Sequence, residues 1–330
     1  MDWKTLLCQE RTRETHRQTE ERRSEIVRDH GRAVFSTPVR RLQDKAQVFP
    51  LEPIDAVRTR LTHSMEVSSV ARDLAHAVAA KLFEGKIVDS QQAYEIEMIA
   101  ATVGLIHDIG NPPFGHAGEK AIQDWFEEHP KVFKKFPKKS ERLKKDFLKF
   151  EGNAQTIRLL AKLQILSDRS GLNLTYATLS AACKYTANSL EIGKPKNQHD
   201  RSKLGYFTSE DDLIKNIRSK TGTAGSRNPI TFLAEASDDI VYSAVDVEDG
   251  VKKGVLSWGE RQVGNAKQRI YSERSIQAGQ IRAILDAKAD EIGEDILADT
   301  PAEFLTAHSS RHTATAQWLA MKWFVRHWFD

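Results

Sequence analysis

The stretch YEIEMIAATVGLIHDIGNPPFGHAGE (94–119) decides how the rest of the chain is read. Ile96, Ile99, Val103 and Ile106 recur at helical spacing, which predicts a helix with a buried face over its first half. GNPPFG (110–115) cannot continue that helix, because glycine and two prolines break it into a turn. His107 and Asp108 fall where the apolar helix ends. A His-Asp dipeptide by itself is weak evidence, since such pairs arise by chance. Here the context adds weight: a charged Asp at the end of an apolar helix is costly unless it is paired or ligates a metal. The turn that follows can open a cavity, and just beyond it lies a further histidine, His116, with Glu119 three residues on.

A metal site needs more ligands than one dipeptide supplies. Residues 63–82 carry Val67, Val70, Ala71, Leu74, Val78 and Leu82 at helical spacing, and His63 lies at the N-terminal end of this stripe. Such a histidine alone is more often a satisfied core residue than a ligand. TFLAEASDDIVYSAVDVEDGVKKGVL (231–256) predicts a long helix. Asp238, Tyr242 and Asp246 stand at i, i+4 and i+8 and so share one face, whereas Asp239 points about 100° away. Asp239, Glu248 and Asp249 read as a solvated acidic face. Two imidazoles and two carboxylates form a mixed nitrogen–oxygen donor set. It suits Mn²⁺ or Mg²⁺ foremost and also accepts Fe, Co, Zn or Ni, with positions left for water and phosphate.

Elsewhere the chain sets bounds. Its 330 residues, 40% apolar and 29% charged, describe a folded chain with a sizeable core. The formal charge of +3 says little about partners, so local clusters matter more. Cys8 and Cys183 are too few for a disulfide framework, which suits a reducing compartment. The charged start, MDWKTLLCQERTRETHRQTEERR, is no secretory signal, and nothing approaches the roughly 18 apolar residues of a membrane span. A cytoplasmic protein without membrane contact is expected. Residues 1–30 read as a charged, solvated arm. Ser36 and Pro38 predict a capped helix start, 150–166 a helix, and 186–229 a polar loop with short turns. The basic run at 131–149 reads as a solvated face or as a surface for a phosphate backbone, single-stranded DNA included. No repeat or strand-rich region is evident, so the class is mostly α.

The ordered set His63, His107-Asp108, Asp238 resembles the H…HD…D signature of HD-domain phosphohydrolases. RLTHSMEV (60–67), GLIHDIGNPPFGHAGE (104–119), FEGNAQTIRLL (150–160) and DDIVYSAVDVED (238–249) together resemble the deoxyguanosine triphosphate triphosphohydrolase family. The resemblance covers about residues 30–256. It implies an HD-type helical bundle with peripheral helices: an N-terminal arm at 1–30, a phosphohydrolase core at 31–256 and a helical segment at 257–330. It also implies hydrolysis of a deoxynucleoside triphosphate, dGTP favoured, to deoxynucleoside and inorganic triphosphate. His63, His107, Asp108 and Asp238 match the metal ligands. Asp238 rather than Asp239 follows from the Asp-x3-Tyr-x3-Asp spacing. His116 and Glu119 match the catalytic pair. Tyr242 matches the residue that packs on the deoxyribose and Asp246 the one that binds its 3′-hydroxyl. Gln47 matches a purine contact and Arg60 a phosphate contact. Lys184, Tyr185 and Lys203 match phosphate- and sugar-facing positions in a loosely aligned region. A homo-oligomer is the implied assembly.

The chain also departs from the pattern. Family members are usually longer, and this one stops at MKWFVRHWFD (321–330), within an amphipathic helical pattern, so it reads either as a short member or as a chain truncated within the helical segment 257–330. TANSLEIGKPKNQHDR (186–201) lacks the Tyr-Pro-Trp pattern expected after Lys184-Tyr185. Two other readings stay open. Another HD phosphohydrolase acting on monophosphates or cyclic nucleotides would keep the metal set but not Gln47, Tyr242 and Asp246. A nucleotide- or single-stranded-DNA-binding regulator with a vestigial site would rest on the lysine cluster.

Overall fold

The computed structural model describes residues 1–13, 23–49, 54–135, 141–163, 170–194 and 199–254. Among them are eleven α-helices: α1 (Trp3–Leu6), α2 (Glu25–Val34), α3 (Thr37–Arg40), α4 (Arg60–Glu84), α5 (Ser90–Ile106), α6 (His116–Glu128), α7 (Glu141–Leu148), α8 (Gly152–Ala161), α9 (Tyr176–Ala182), α10 (Asp211–Thr221) and α11 (Pro229–Lys252). Among the described residues β pairing is limited to isolated bridges, so the mostly α class holds. The helical pattern expected beyond 257 lies outside the described residues. The chain divides into two units, Met1–Pro50 with Thr59–Ala234, and Leu51–Arg58 with Glu235–Asp330.

Local chemistry starts the helices, at Ser36 where the sequence predicts it. Thr59 caps α4 in a reciprocal box with Thr62, and Asp89 does the same for α5 with Gln92. Ser36 caps α3, with Pro38 in its first turn. In the first unit α4 and α5 pack along their lengths. Val67, Val70, Ala71, Leu74, Ala75 and Ala79 of α4 are buried, while α5 is buried on every side from Ile99 to Ile106. A helix apolar all round belongs at the centre of a bundle. Leu105, Ile106 and Ile109 continue into a core with Ile157 and Leu160 of α8, Leu179 of α9, and Ile214 and Ile217 of α10.

Three expectations change. The 186–229 region holds α10, whose Leu213, Ile214 and Ile217 at helical spacing were the available signal and whose end is marked by Gly222 in the left-handed region at φ 65°. Its otherwise charged composition hid it. The described part of 1–30 is no solvated arm: Leu6, Leu7, Arg11, Ile26 and Asp29 are buried. The charges there are internal pairs, with Arg11 2.7 Å from Asp29 and 2.6 Å from Glu25, while Asp29 accepts from Thr175 N at 2.9 Å and Oγ1 at 2.7 Å. In the second unit Asp249, expected on a solvated face, is buried against Arg58 at 2.6 Å. Among the described residues no helix is long and apolar enough to cross a membrane.

Removing one member of a buried pair strands the other charge. Arg11→Met should therefore destabilise the protein by about 3–5 kcal/mol in urea unfolding, and Arg11→Met/Asp29→Leu should recover part of that loss. A loss below about 1 kcal/mol would show the pair to be dispensable.

Candidate active site

His63 lies one turn inside α4, His107 caps the C-terminus of α5, and Asp108 follows it. The helices that carry them come unusually close at Gly104. A β-carbon there would lie 2.9 Å from Ser68 Cα and 3.0 Å from Val67 O, both backbone atoms. This approach lets the two imidazoles meet edge to face, with ring centroids 5.5 Å apart. One ligand atom from each of His63, His107 and Asp108 lies within 4.8 Å of the others, in a buried or half-buried setting. His107 Nδ1 lies 2.6 Å from Gly104 O. A carbonyl only accepts, so Nδ1 carries the proton and Nε2 presents its lone pair, the arrangement a metal-ligating histidine needs. The donor set and its convergence fit a divalent ion.

Asp108 is held from two sides. Arg60 Nη1 donates to Oδ2, and Asn111 Nδ2 donates to Oδ1 at 2.5 Å. Lys45 Nζ donates to Asn111 O at 2.7 Å, which ties the N-terminal segment to the same turn. Arg60, expected to face phosphate, is thus buried beside a ligand of the trio.

The turn at 110–115 delivers His116 to the first residue of α6, with Glu119 in the same first turn, where a helix N-terminus favours negative charge. His116 Nδ1 lies 2.7 Å from Glu119 Oε2, and Gly152 N donates to Glu119 Oε1 at 2.7 Å. Burial alone would raise the Glu119 carboxyl. The bonds from His116 and the Gly152 N–H outweigh it and hold the group below the usual carboxylate range. The Glu119 side chain is buried, whereas that of His116 is 69% exposed. Next to this pair, Glu151 caps α8 and lies 3.8 Å from Lys203 Nζ. Burial, and then the Glu119 charge, push the Glu151 carboxyl up against the pull of its Asn153 bond. Lys203 Nζ also stands 5.9 Å from the ring centre of buried Tyr185.

The structure therefore brings His63, His107, Asp108 and Arg60 together, and links them through Asn111 and Gly152 to His116, Glu119 and Lys203. Gln47 and Lys184 are half-buried in the same unit. Asp238, Tyr242 and Asp246 lie on α11 in the second unit, at the four-residue spacing of one helix face. Of the basic run, Lys131 and Lys134 are exposed, while Arg142 makes a two-point pair with Asp211 and Lys144 stands over Phe133. Sequence reasoning assigned no role to Asn111, Glu151 or Gly152. The NPP turn and the FEGN run marked the segments, but not which atoms would touch.

The HD domain family matches residues 60–188. A deoxyguanosinetriphosphate triphosphohydrolase-like protein of Listeria innocua is 44% identical over 269 residues, 78% of this chain and 57% of that protein. Its namesake in Synechocystis is 39% identical over 284 residues, 79% of this chain and 62% of the relative. A deoxyguanosinetriphosphate triphosphohydrolase of Enterobacter is 36% identical over 283 residues, 73% of this chain and 55% of the relative. Residues 60–188 thus form an HD domain, and over most of its length the chain is similar to deoxyguanosinetriphosphate triphosphohydrolase-like proteins. It spans 55–62% of the length of these relatives. Within the HD match lie the trio, the His116–Glu119 pair, Glu151 and Gly152, whereas Lys203 and α11 lie beyond it.

If the Gly104 contact sets the trio, a methyl there must part α4 from α5. Gly104→Ala should weaken Mn²⁺ binding, read by calorimetry, about tenfold or more and lower the melting temperature. Gly31→Ala in α2, where a β-carbon meets nothing within 4 Å, should leave Mn²⁺ binding unchanged. Equal Mn²⁺ affinity in both variants would refute the account.

Proposed function

We propose that the chain hydrolyses a deoxynucleoside triphosphate, dGTP foremost, to the deoxynucleoside and inorganic triphosphate. The observation that carries this reading is one contiguous set of contacts holding both a metal-capable His63–His107–Asp108 trio and a His116–Glu119 pair. The HD domain and the similarity to these relatives support it. His63, His107, Asp108 and, on α11, Asp238 would hold a divalent ion, Mn²⁺ or Mg²⁺ foremost. Such an ion polarises phosphoryl oxygens and eases deprotonation of water.

The chain's own residues supply the rest. Water adds to the α-phosphorus, the bond from phosphorus to the 5′ oxygen breaks, and that oxygen needs a proton to leave as a hydroxyl. His116 is suited to carry it. Glu119 accepts from Nδ1 and is held ionised, so Nε2 is the ring atom that exchanges a proton. The partial exposure of His116 gives it access to solvent protons. Arg60, Lys184 and Lys203 supply positive charge for the triphosphate, Gln47 an amide for the purine edge, and Tyr242, Tyr185 and Asp246 contacts to the sugar. The same reading carries over two partners: single-stranded DNA at exposed Lys131 and Lys134, and further copies of the chain. It also places the protein in the cytoplasm.

Incubation with each dNTP and NTP in Mn²⁺ or Mg²⁺, with product identification, tests the proposal. Inorganic triphosphate and a deoxynucleoside are expected from dGTP, and His116→Gln should lower turnover by about 10²–10⁴-fold. Release of a monophosphate or orthophosphate instead would replace this reading with that of another HD phosphohydrolase.

A further inference from the structure

A line of close contacts runs from a residue of the metal trio to the proposed proton carrier. Asn111 Nδ2 donates to Asp108 Oδ1 at 2.5 Å. Gly152 N donates to Glu119 Oε1 at 2.7 Å, and Glu119 Oε2 stands 2.7 Å from His116 Nδ1. The two halves meet at Gly152. A β-carbon there would lie 2.2 Å from Asn111 Oδ1 and 2.9 Å from Glu119 Oε1. Gly152 is itself fixed as the first residue of α8, where Glu151 accepts from Asn153 N at 2.5 Å and Ala154 N at 3.3 Å. The turn is fixed against it as well: Gly110 N donates to Thr156 Oγ1 at 3.1 Å, and a β-carbon on Gly110 would come 2.1 Å from Gly152 O.

We propose that Asn111 and Gly152 are positioning residues that set the His116–Glu119 pair at a fixed offset from Asp108. The proposal rests on His116 being the proton carrier of the reaction described above. Gly152 does not have a positive φ, so its backbone would accept alanine. What it lacks is room: the two nearest atoms in the way are side-chain ends, each engaged in the line of contacts, and the third is Asn111 Cα at 3.3 Å. A methyl at this position is accommodated chiefly by swinging a side-chain end aside, with the Asn111 backbone giving by a few tenths of an ångström. Asn111 then leaves Asp108, or Glu119 leaves the Gly152 N–H and takes His116 with it. Proton transfer requires hydrogen-bond reach, and an error on the order of 1 Å in placement costs about 10²-fold.

Three measurements on the full chain test this. Gly152→Ala should fold, with circular dichroism and melting close to wild type, yet lose about 10- to 100-fold in kcat with little change in KM. In protein labelled with ¹⁵N-histidine, free of metal and nucleotide, the His116 Nδ1 resonance (assigned with His116→Gln) should move away from its carboxylate-bonded position. Gly152→Ala/Asn111→Ala should be slowed by clearly less than the two single losses combined, because Asn111→Ala removes the nearer of the two side-chain atoms that the methyl meets. A folded Gly152→Ala with wild-type resonance and kcat, or losses that simply add in the double variant, would overturn the proposal. The resonance separates this inference from the function it rests on. A shifted Nδ1 in a chain that hydrolyses no nucleotide supports the brace and sinks the reaction. An unshifted Nδ1 in a chain that releases triphosphate does the reverse.

Discussion

Two helix backbones touch at Gly104, and much of the site follows from that contact. A residue with a side chain there would meet Ser68 Cα and Val67 O, which cannot swing aside as a flexible side-chain end can. The close approach sets His63 beside His107. Gly104 acts a second time through its carbonyl, which takes the Nδ1–H of His107 and turns the other nitrogen toward Asp108. Spacing and tautomer are thus set by one residue, three positions before the first ligand of the pair. The burial of α5 on all sides from Ile99 to Ile106 keeps its end from drifting.

Charge is the second constraint. Asp108, Glu119 and Glu151 are all buried, and each meets donors: Arg60 and Asn111, His116 and the Gly152 N–H, and the first amides of α8 with Lys203 nearby. Similar solutions occur away from the site, where Arg11 meets Asp29 and Arg58 meets Asp249. The consequences differ. Glu119 is drawn below the ordinary carboxylate range, so it stays ionised as a partner for an imidazole. Asp29 is pushed up because burial outweighs the Arg11 charge and the threonine bonds. A buried carboxylate is therefore no sign of function by itself; the direction of the shift and the identity of the partner matter.

The sequence was most readable where burial follows a period. α4, α5 and α11 stood out because their apolar residues recur at helical spacing, and His107-Asp108 stood out because it ends such a run. It was least readable where charged residues are buried by partners far along the chain. Arg11 bonds the carbonyl of Asn173, Asp29 bonds Thr175, and Asp249 bonds Arg58, all across separations that no local pattern records. Such residues look solvated when read locally, which is why 1–30 suggested an arm and 248–249 a wet face. Asn111 and Gly152 escaped for a related reason. Their importance lies in a contact between a turn and a helix start some 40 residues later.

The two histidines that flank the NPP turn show how the fold divides labour. His107 ends a helix whose last two turns are buried on every side, with its ring donating to a backbone carbonyl, as would suit a metal ligand that must stay still. His116 begins a helix exposed on most sides, with a carboxylate at Nδ1 and most of its side chain open to solvent, as suits a group that must gain and lose a proton. The same side chain serves two ends because the turn between them changes burial and partner within nine positions. In the proposed hydrolysis neither role would survive if the two moved independently, since ion and proton carrier would act on one phosphorus. That requirement gives a physical reason for bracing the turn against the start of α8, with a residue at the contact too small to push the two apart.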